Sequence, residues 1–234
     1  MRRGLAEFIT RVGQKLNLSA LPLSVAIFLA QHFFLARSLQ RNDRFVVACA
    51  CVFLGSKQEE HHKNLHDVIH SAYQTRHHGD AKAMRRIKED KNLYEDIRDN
   101  VLMAERCLLY MMGFGFHIDT PQVCLLGALN DLGLAGGAAT EDDRNRFLFQ
   151  LAWNLCNDCM RTTLCLQFHP KHLGHASLYM ASKIAEMPLP SGPGGMPWFV
   201  QRGTSAGVID AIVRQLLECF EDGEAKDKLN ASST

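Results

Sequence analysis

Histidines offer the most obvious chemistry in this chain of 234 residues. His62, His66 and His70 recur at intervals of four, so a helix would present three imidazoles on one face. Imidazole nitrogens are common zinc ligands, but no acid or thiol stands at a spacing that would complete the metal's shell. The spacing therefore favours a polar helix face over a metal site, and we expect no cofactor.

The cysteines form a second candidate site. Cys156 and Cys159 have the two-residue spacing of a zinc or redox pair, but no second pair follows in what looks like one continuous helix. The chain has eight cysteines in all, and several lie inside apolar segments. That distribution is typical of buried, reduced thiols, so we expect an intracellular protein without disulfides.

Neither nucleophilic catalysis nor phosphate binding is indicated. His169, His172 and His175 surround Pro170, but no serine or cysteine has both a base and an orienting acid near it in a defensible pattern. The glycine-rich stretches at 133–137 and 192–195 lack the Lys-Ser/Thr continuation of a phosphate loop. We therefore expect no enzymatic activity of the chain's own.

The elements that would position these residues are helices. Apolar residues recur at intervals of three and four in nearly every segment, whereas strand-like alternation is scarce. The segment 45–55 is apolar nearly all round, which predicts a central helix with a charged end at 57–60. We predict a loop or an exposed helical insertion at residues 75–92 and a loop at residues 132–140. A last helix should end near residue 221.

An internal repeat predicts the domain organisation. Residues 47–60 align with residues 173–186 at an offset of 126, and both segments are apolar helices that end in Ser-Lys. Four pairs are identical: Ala50 and Ala176, Ser56 and Ser182, Lys57 and Lys183, Glu60 and Glu186. Two copies of one helical module explain the length, so we predict domains at 1–118 and 119–222 and a frayed polar tail at 223–234.

Composition and charge exclude several classes of protein. With 47% hydrophobic and 22% charged residues the chain can bury a core, which excludes disorder throughout. A formal charge of +1 gives no overall attraction to nucleic acid or to an anionic membrane. The most apolar stretch, 21–36, is shorter than the ~18 residues of a membrane span, so we expect no membrane partner. A cluster of lysines and arginines at 82–91 could touch RNA, although a solvated surface is the simpler interpretation.

Two charged residues stand out against their surroundings. Lys57 ends an apolar helix, where a lysine is usually solvated near the negative end of the helix dipole. Glu105 lies between Ala104 and Leu108, at an otherwise core-facing position, so its carboxylate needs either an edge or a partner. Both observations fit an edge that binds another protein.

Several motifs resemble one family in the right order along the chain. They are residues 2–9 and 13–18, the segment Phe53-Leu54-Gly55-Ser56-Lys57-Gln58-Glu59-Glu60, residues 102–109 with Gly113-Phe114, the pairs 152–153 and 157–158, residues 162–167, and Trp198. These segments resemble the cyclins, and within them the transcription-associated K and T types. The segment 53–60 is similar to the family's phenylalanine-leucine-alanine-x-lysine-x-glutamate-glutamate signature, except that Gly55 replaces the alanine at a helix-propensity cost of roughly 1 kcal/mol unless a neighbour packs closely.

The resemblance implies an all-α fold with two tandem five-helix cyclin boxes and a preceding N-terminal helix. It implies a nuclear regulatory subunit that activates a transcriptional cyclin-dependent kinase and so promotes phosphorylation of the RNA polymerase II repeat tail. The kinase-binding residues would be Lys57, Glu105, Phe53 and Glu60. A double-cyclin-box adaptor that binds protein or nucleic acid without activating a kinase stays open as the alternative.

Overall fold

A computed structural model of the chain describes residues 2–115, 117–134 and 143–231, with side chains except at 193 and 222–231. The regular elements of this part are all helices, so the all-α prediction is confirmed. The chain divides into two compact units, Met1–Ile118 and Asp119–Thr234. No helix among the described residues is long and apolar enough to cross a membrane.

The first unit contains six of the described helices. They are α1 (Arg2–Lys15), α2 (Ala20–Ala36), α3 (Arg44–Gln58), α4 (Leu65–Arg76), α5 (Ala81–Glu89) and α6 (Lys91–Met111). Helix α3 packs against α1, α2, α4 and α6, and all its residues from Val47 to Ser56 are buried. A helix with neighbours on every side needs no polar face, which explains the all-round apolar sequence.

The N-terminal helix and the predicted insertion are both ordered parts of this unit. Helix α1 packs against α2, α3 and α4, so it is one of the helices of the bundle. Within 75–92 the expectation of a helix is correct and that of a loop is wrong, because α5 buries Ala83 and Ile87 against its neighbours. The Asp80 side chain accepts hydrogen bonds from two backbone N–H groups and so starts the helix.

The second unit is built around α10. Its elements are α7 (Pro121–Asp131), α8 (Asp143–Arg161), α9 (Leu164–Gln167), α10 (Pro170–Ile184), a 3-10 turn (Pro193–Gly195), α11 (Trp198–Gln201) and α12 (Ala206–Ala231). Helix α10 packs against α7, α8 and α12, and its residues Leu173–Leu178 are all buried. It begins with Pro170 at a helical N-terminal position, and the His169 side chain caps it.

One predicted helix end differs from the structure, and one predicted loop lies mostly outside the described residues. Helix α12 continues to Ala231, so the predicted helix end near 221 is wrong. The single Gly223 costs only about 1 kcal/mol in a helix, and the Glu, Ala, Lys and Leu residues that follow are good helix formers. Most of the predicted loop at 132–140 lies outside the described residues.

Candidate functional site

Two charged side chains that are 48 residues apart in the sequence meet in the first unit. Lys57 lies in the last turn of α3 and Glu105 lies in the C-terminal half of α6. Packing of α3 against α6 brings Lys57 Nζ to 2.8 Å from Glu105 Oε1. The prediction that the Glu105 carboxylate lies at an edge or has a partner is confirmed, because Lys57 is its partner.

The pair is buried on one side and open on the other. The Glu105 side chain is 9% exposed, whereas the Lys57 side chain is 43% exposed. The Lys57 ammonium also lies 3.8 Å from the centroid of the Phe53 ring, and Phe53 is buried. A carboxylate this buried would be costly without a counter-ion, so Glu105 and Phe53 together hold the lysine in one position at the surface.

Gly55 explains how close α3 can come to α2. A Cβ at this position would lie 2.9 Å from the backbone oxygen of Pro22 and 3.1 Å from the backbone nitrogen of Ala26. Because both atoms belong to the backbone of α2, they cannot turn away as a side chain would. The glycine that departs from the family pattern is therefore a close-packing position.

The α3 end, which we define as residues 53–61, closes with a Schellman motif. The His61 N–H donates to the Ser56 carbonyl over 2.9 Å, and Glu60 has a φ of 56°. Glycine is the usual residue in this left-handed conformation, and a glutamate there costs roughly 1–2 kcal/mol. Glu60 is exposed, so of the four predicted site residues three are in contact and the fourth lies in the turn that follows them.

The sequence interpretation missed an apolar surface on α6. Met103 is 57% exposed and Tyr110 is 74% exposed, and the Tyr110 ring packs edge-to-face against the exposed Phe114. Met103 and Tyr110 are seven residues apart and so share one helix face, whereas Val101 and Leu108 share the buried face. The helix therefore has one apolar pair with a seven-residue spacing on its buried face and a second such pair on its exposed face. The second pair could have predicted this surface from the sequence.

The α10 end, residues 179–187, repeats the geometry of the α3 end. The Met187 N–H donates to the Ser182 carbonyl over 2.9 Å, and Glu186 has a φ of 51°. The Ser182 hydroxyl donates to the Tyr179 carbonyl over 2.7 Å, as the Ser56 hydroxyl donates to the Phe53 carbonyl. Lys183 Nζ lies 5.5 Å from the Tyr179 ring centroid. The offset of 126 in the sequence is thus also an equivalence in structure.

His66 and His70 lie side by side on α4, whereas His62 precedes the helix, so the predicted face of three histidines is wrong. The rings of His66 and His70 are 4.2 Å apart, and both lie near the ring of Tyr94. Partial burial, followed by the nearby His66, lowers the pKa of His70. Over the part of the chain that the structure describes, no group of three or more His, Cys, Asp or Glu residues is arranged to hold a metal ion.

The cysteine pair lies inside the second unit. Cys156 and Cys159 are fully buried, and burial raises the pKa of the Cys156 thiol to about 12. A thiol in this state is neither a nucleophile nor a ready metal ligand. All eight cysteines of the chain are free thiols.

Two of the three histidines near Pro170 converge on one buried hydroxyl. The Nδ1 atoms of His172 and His175 lie 2.9 and 2.8 Å from Thr204 Oγ1, and the His175 ring packs edge-to-face on Trp198. Burial, followed by the positive charge of Lys171, lowers the pKa of His175 to about 4. The sequence analysis did not find Thr204, because its link to the histidines is a tertiary contact across about 30 residues.

Known proteins resemble the chain along most of its length. Residues 1–116 match the cyclin N-terminal domain family. Cyclin-T1-3 of Oryza sativa subsp. japonica is 33% identical over 94% of this chain and 43% of its own length. Cyclin-L1 of Gallus gallus is 30% identical over 92% of this chain and 38% of its own length. The chain therefore spans less than half the length of these relatives.

Two solved structures share the fold. A chain of the yeast RNA Pol II CTD kinase CTDK-1 complex matches with a TM-score of 0.73 at 16% identity, over 93% of this chain and 64% of that chain. A chain of the CAK complex of Chaetomium thermophilum bound to ATP-gamma-S matches with a TM-score of 0.61 at 18% identity, over 93% of this chain and 60% of that chain. At these identities the likeness is one of fold.

Proposed function

Because the chain belongs to the cyclin family, we propose that it is a regulatory subunit that binds and activates a cyclin-dependent kinase. The observation that carries the proposal is the half-exposed ion pair between Lys57 and Glu105. The chain would supply no reacting atom, because phosphoryl transfer belongs to the kinase.

The ion pair is suited to a contact with a second protein. An ammonium has three N–H donors, and Glu105 takes one of those of Lys57. Phe53 occupies another side of the ammonium, so a donor is left on the exposed side for a backbone carbonyl of the partner. Because Glu105 already holds the lysine in place, binding costs less side-chain entropy than an unrestrained lysine would.

Exposed apolar side chains elsewhere on α6 would supply further binding free energy. Met103, Tyr110 and Phe114 expose apolar surface on α6 and the turn that follows it. Exposed aromatic side chains are typical of the parts of interfaces that contribute most to affinity. The Glu60 carboxylate at the α3 end would attract basic groups of the partner.

Binding of this kind can activate a kinase even though the chain itself contributes no catalytic group. Kinases need an ion pair between a strand lysine and a glutamate of their C-helix, together with an ordered activation loop. A surface that binds only the inward position of that helix shifts the population towards the active state. A shift from 1:99 to 99:1 requires about 5.5 kcal/mol of differential binding. A charged contact combined with an apolar surface is able to provide that amount.

The kinase would be of the transcriptional type and the site of action nuclear. The relatives are named as T- and L-type cyclins, and one structure of the same fold belongs to a yeast RNA Pol II CTD kinase complex. By extension the substrate would be the C-terminal repeat tail of RNA polymerase II.

The second unit would be a second cyclin box over residues 119–222. The equivalence between the α3 end and the α10 end supports this, as does the central position of α10 among α7, α8 and α12. Lys57 has a carboxylate partner and Lys183 does not, among the side chains that the structure describes. Kinase binding would therefore belong to the first unit.

Replacement of both charged residues tests the proposal. The chain with Lys57→Ala and Glu105→Ala should lose kinase binding by about a hundredfold while it keeps its helical circular dichroism. The readouts are co-purification of a kinase from cell extract and phosphorylation of a peptide with the polymerase repeats. Lys183→Ala, at the equivalent position of the second unit, is the matched control and should bind and activate normally. Normal activation by the double variant would disprove the proposal.

A transcription adaptor without kinase activation is the second candidate. Its support is an open groove of about 710 Å³ along α5 and the start of α6, where the basic residues Lys82, Arg85, Arg86 and Lys91 outnumber the acidic residues Glu89 and Asp90. If this groove binds nucleic acid, affinity for a short RNA should fall steeply with salt, and Arg85→Glu with Arg86→Glu should abolish it. RNA or a promoter factor in the purified complex, without a kinase, would favour this function.

A further inference from the structure

The two repeated helix ends differ in what faces their lysine. Among the described side chains, no carboxylate lies within ion-pair distance of Lys183, whereas Glu105 lies 2.8 Å from Lys57. The local frame is otherwise the same, with a serine hydroxyl bonded into the last turn and a glutamate in the left-handed conformation in both units. The missing carboxylate is thus the main chemical difference.

The register of the buried residues locates the change on α12. Helix α6 buries Val101, Ala104 and Leu108, and α12 buries residues with the same spacing at Ile209, Ile212 and Leu216. The offset between these sets is 108, which aligns Glu105 with the half-buried Val213. The second unit thus has an apolar residue where the first unit has its carboxylate.

An open pocket lies beside the unpaired lysine. Its volume is about 430 Å³, within the range of ligand sites, ~300–1,000 Å³. Its lining includes Tyr179, Lys183, Met187, Leu189, Trp198 and Phe199. The pocket therefore combines the cation of Lys183 with an apolar and aromatic wall, and its lining also includes the Glu186 carboxylate.

The geometry points to a docking site for an acidic peptide segment of a partner protein, with one Asp or Glu carboxylate on Lys183 and a neighbouring apolar side chain in the pocket. Charge complementarity selects this occupant, because the first unit satisfies the equivalent lysine with a carboxylate of its own. The site lies in the second unit and uses none of the residues proposed to bind a kinase.

Two features of the α10 end would by themselves oppose an anion. The C-terminal end of a helix carries partial negative charge, and Glu186 adds a carboxylate to the pocket lining. The α3 end has the same helix polarity and the equivalent Glu60, yet it accommodates the Glu105 carboxylate beside its lysine. The first unit is therefore an internal control for the charge arrangement that we infer in the second.

Selection of peptides tests the inference. A phage library of random peptides is selected on the full chain and counter-selected on its Lys183→Glu variant. Enriched peptides should carry an Asp or Glu next to an aliphatic or aromatic residue. In fluorescence anisotropy, Lys183→Glu should weaken their binding by about tenfold or more, because like charges then face each other.

Charge exchange and two controls make the result specific. Lys183→Glu should regain affinity for a peptide whose acidic residue is changed to Lys. Lys171→Glu, an exposed lysine on the same helix but outside the pocket lining, should bind the original peptide normally. The variant with Lys57→Ala and Glu105→Ala should also bind it normally, so failure of the kinase proposal and failure of this one are distinguishable.

Three results would overturn the inference. The first is no enrichment over the Lys183→Glu chain, and the second is enriched peptides without an acidic residue. The third is a short RNA whose binding depends on Lys183 while no peptide does, which would assign the lysine to a phosphate.

Discussion

The α3 end and the α10 end have the same backbone hydrogen bonds, but only the lysine of the α3 end has a carboxylate partner among the described side chains. Both close with a Schellman motif that has a glutamate in the left-handed conformation, and both bond a serine hydroxyl into the last turn. At the α3 end the lysine is paired with a buried glutamate from α6. At the α10 end the equivalent lysine is exposed and faces a pocket.

The repeat therefore preserves the hydrogen-bonded helix end, while the neighbouring helix determines whether the lysine has a carboxylate partner. The helix end depends on local hydrogen bonds, which a short segment of sequence can carry with it. The residue opposite the lysine comes from α6 in the first unit and, by the register of the buried residues, from α12 in the second. Both helices lie far along the chain and can change by one residue without disturbing the helix end.

The largest effect is expected at glycines that both central helices use for close packing. A Cβ at Gly55 would lie 2.9 Å from the Pro22 oxygen, and one at Gly174 would lie 2.8 Å from the Pro121 oxygen. Gly55→Ala and Gly174→Ala should each lower the free energy of unfolding by about 2–3 kcal/mol, because backbone must move. Urea denaturation measures this.

The control for the glycine variants is Gly127→Ala in α7. Nothing lies within 4 Å of a Cβ at Gly127, so alanine there should stabilise the helix by up to about 1 kcal/mol. If all three variants behaved alike, close packing would not be the reason for the two glycines.

A smaller effect should separate the two lysines. Lys57→Met removes the counter-ion of a carboxylate that is 9% exposed, and should cost about 2 kcal/mol. Lys183→Met at the exposed equivalent should change the free energy of unfolding by less than about 0.5 kcal/mol. Paired denaturation curves compare the two, and equal losses would contradict the assigned difference.

Acid should destabilise the second unit through His175, which aligns with Cys49 of α3 at the repeat offset of 126. The folded-state pKa of His175 is about 4, below the ~6.5 of an unfolded histidine. Its contribution is therefore fully present above pH 6.5 and is lost as the pH falls towards 4. We expect a loss of about 1–2 kcal/mol, after allowance for solvent screening of the neighbouring cations.

Hydrogen exchange along the chain measures the acid effect in each unit. Protection of α10 should fall more than that of α3, since burial raises the pKa of the Cys49 thiol to about 12 and keeps it neutral throughout. His175→Gln should reduce the difference between the units, whereas His62→Gln, at an exposed histidine, should not. An unchanged pH dependence in His175→Gln would exclude this residue as the cause.

The smallest effect tests the register of α12. Val213→Glu should give Lys183 a carboxylate, with a coupling of about 0.5 kcal/mol for this more exposed pair. A double-mutant cycle with Lys183→Met measures the coupling, which should weaken in high salt. No coupling would show that Val213 is not the counterpart of Glu105.

Much of this site was accessible from sequence because its parts are local. The all-round apolar segment 45–55 predicted the central helix, and the repeat at 173–186 predicted its counterpart. Glu105 at a core-facing position predicted a partner or an edge, and the partner is Lys57. Their roles in kinase binding, like those of Phe53 and Glu60, stay predictions.

Other features were not accessible from periodicity. The position of Thr204 between two histidines depends on which helix faces pack. The extension of α12 to residue 231 was missed because a single glycine was given too much weight as a helix stop.

Hydrophobic periodicity and capping act over a few residues, so the amino-acid sequence alone predicts the long helices, their order and the repeated helix ends. Only the tertiary structure decided that Lys57 meets Glu105 across 48 residues while Lys183 meets a pocket. It also decided that Gly55 is needed for the close approach of α2. These outcomes depend on which faces of distant helices pack together, and no local pattern encodes that choice.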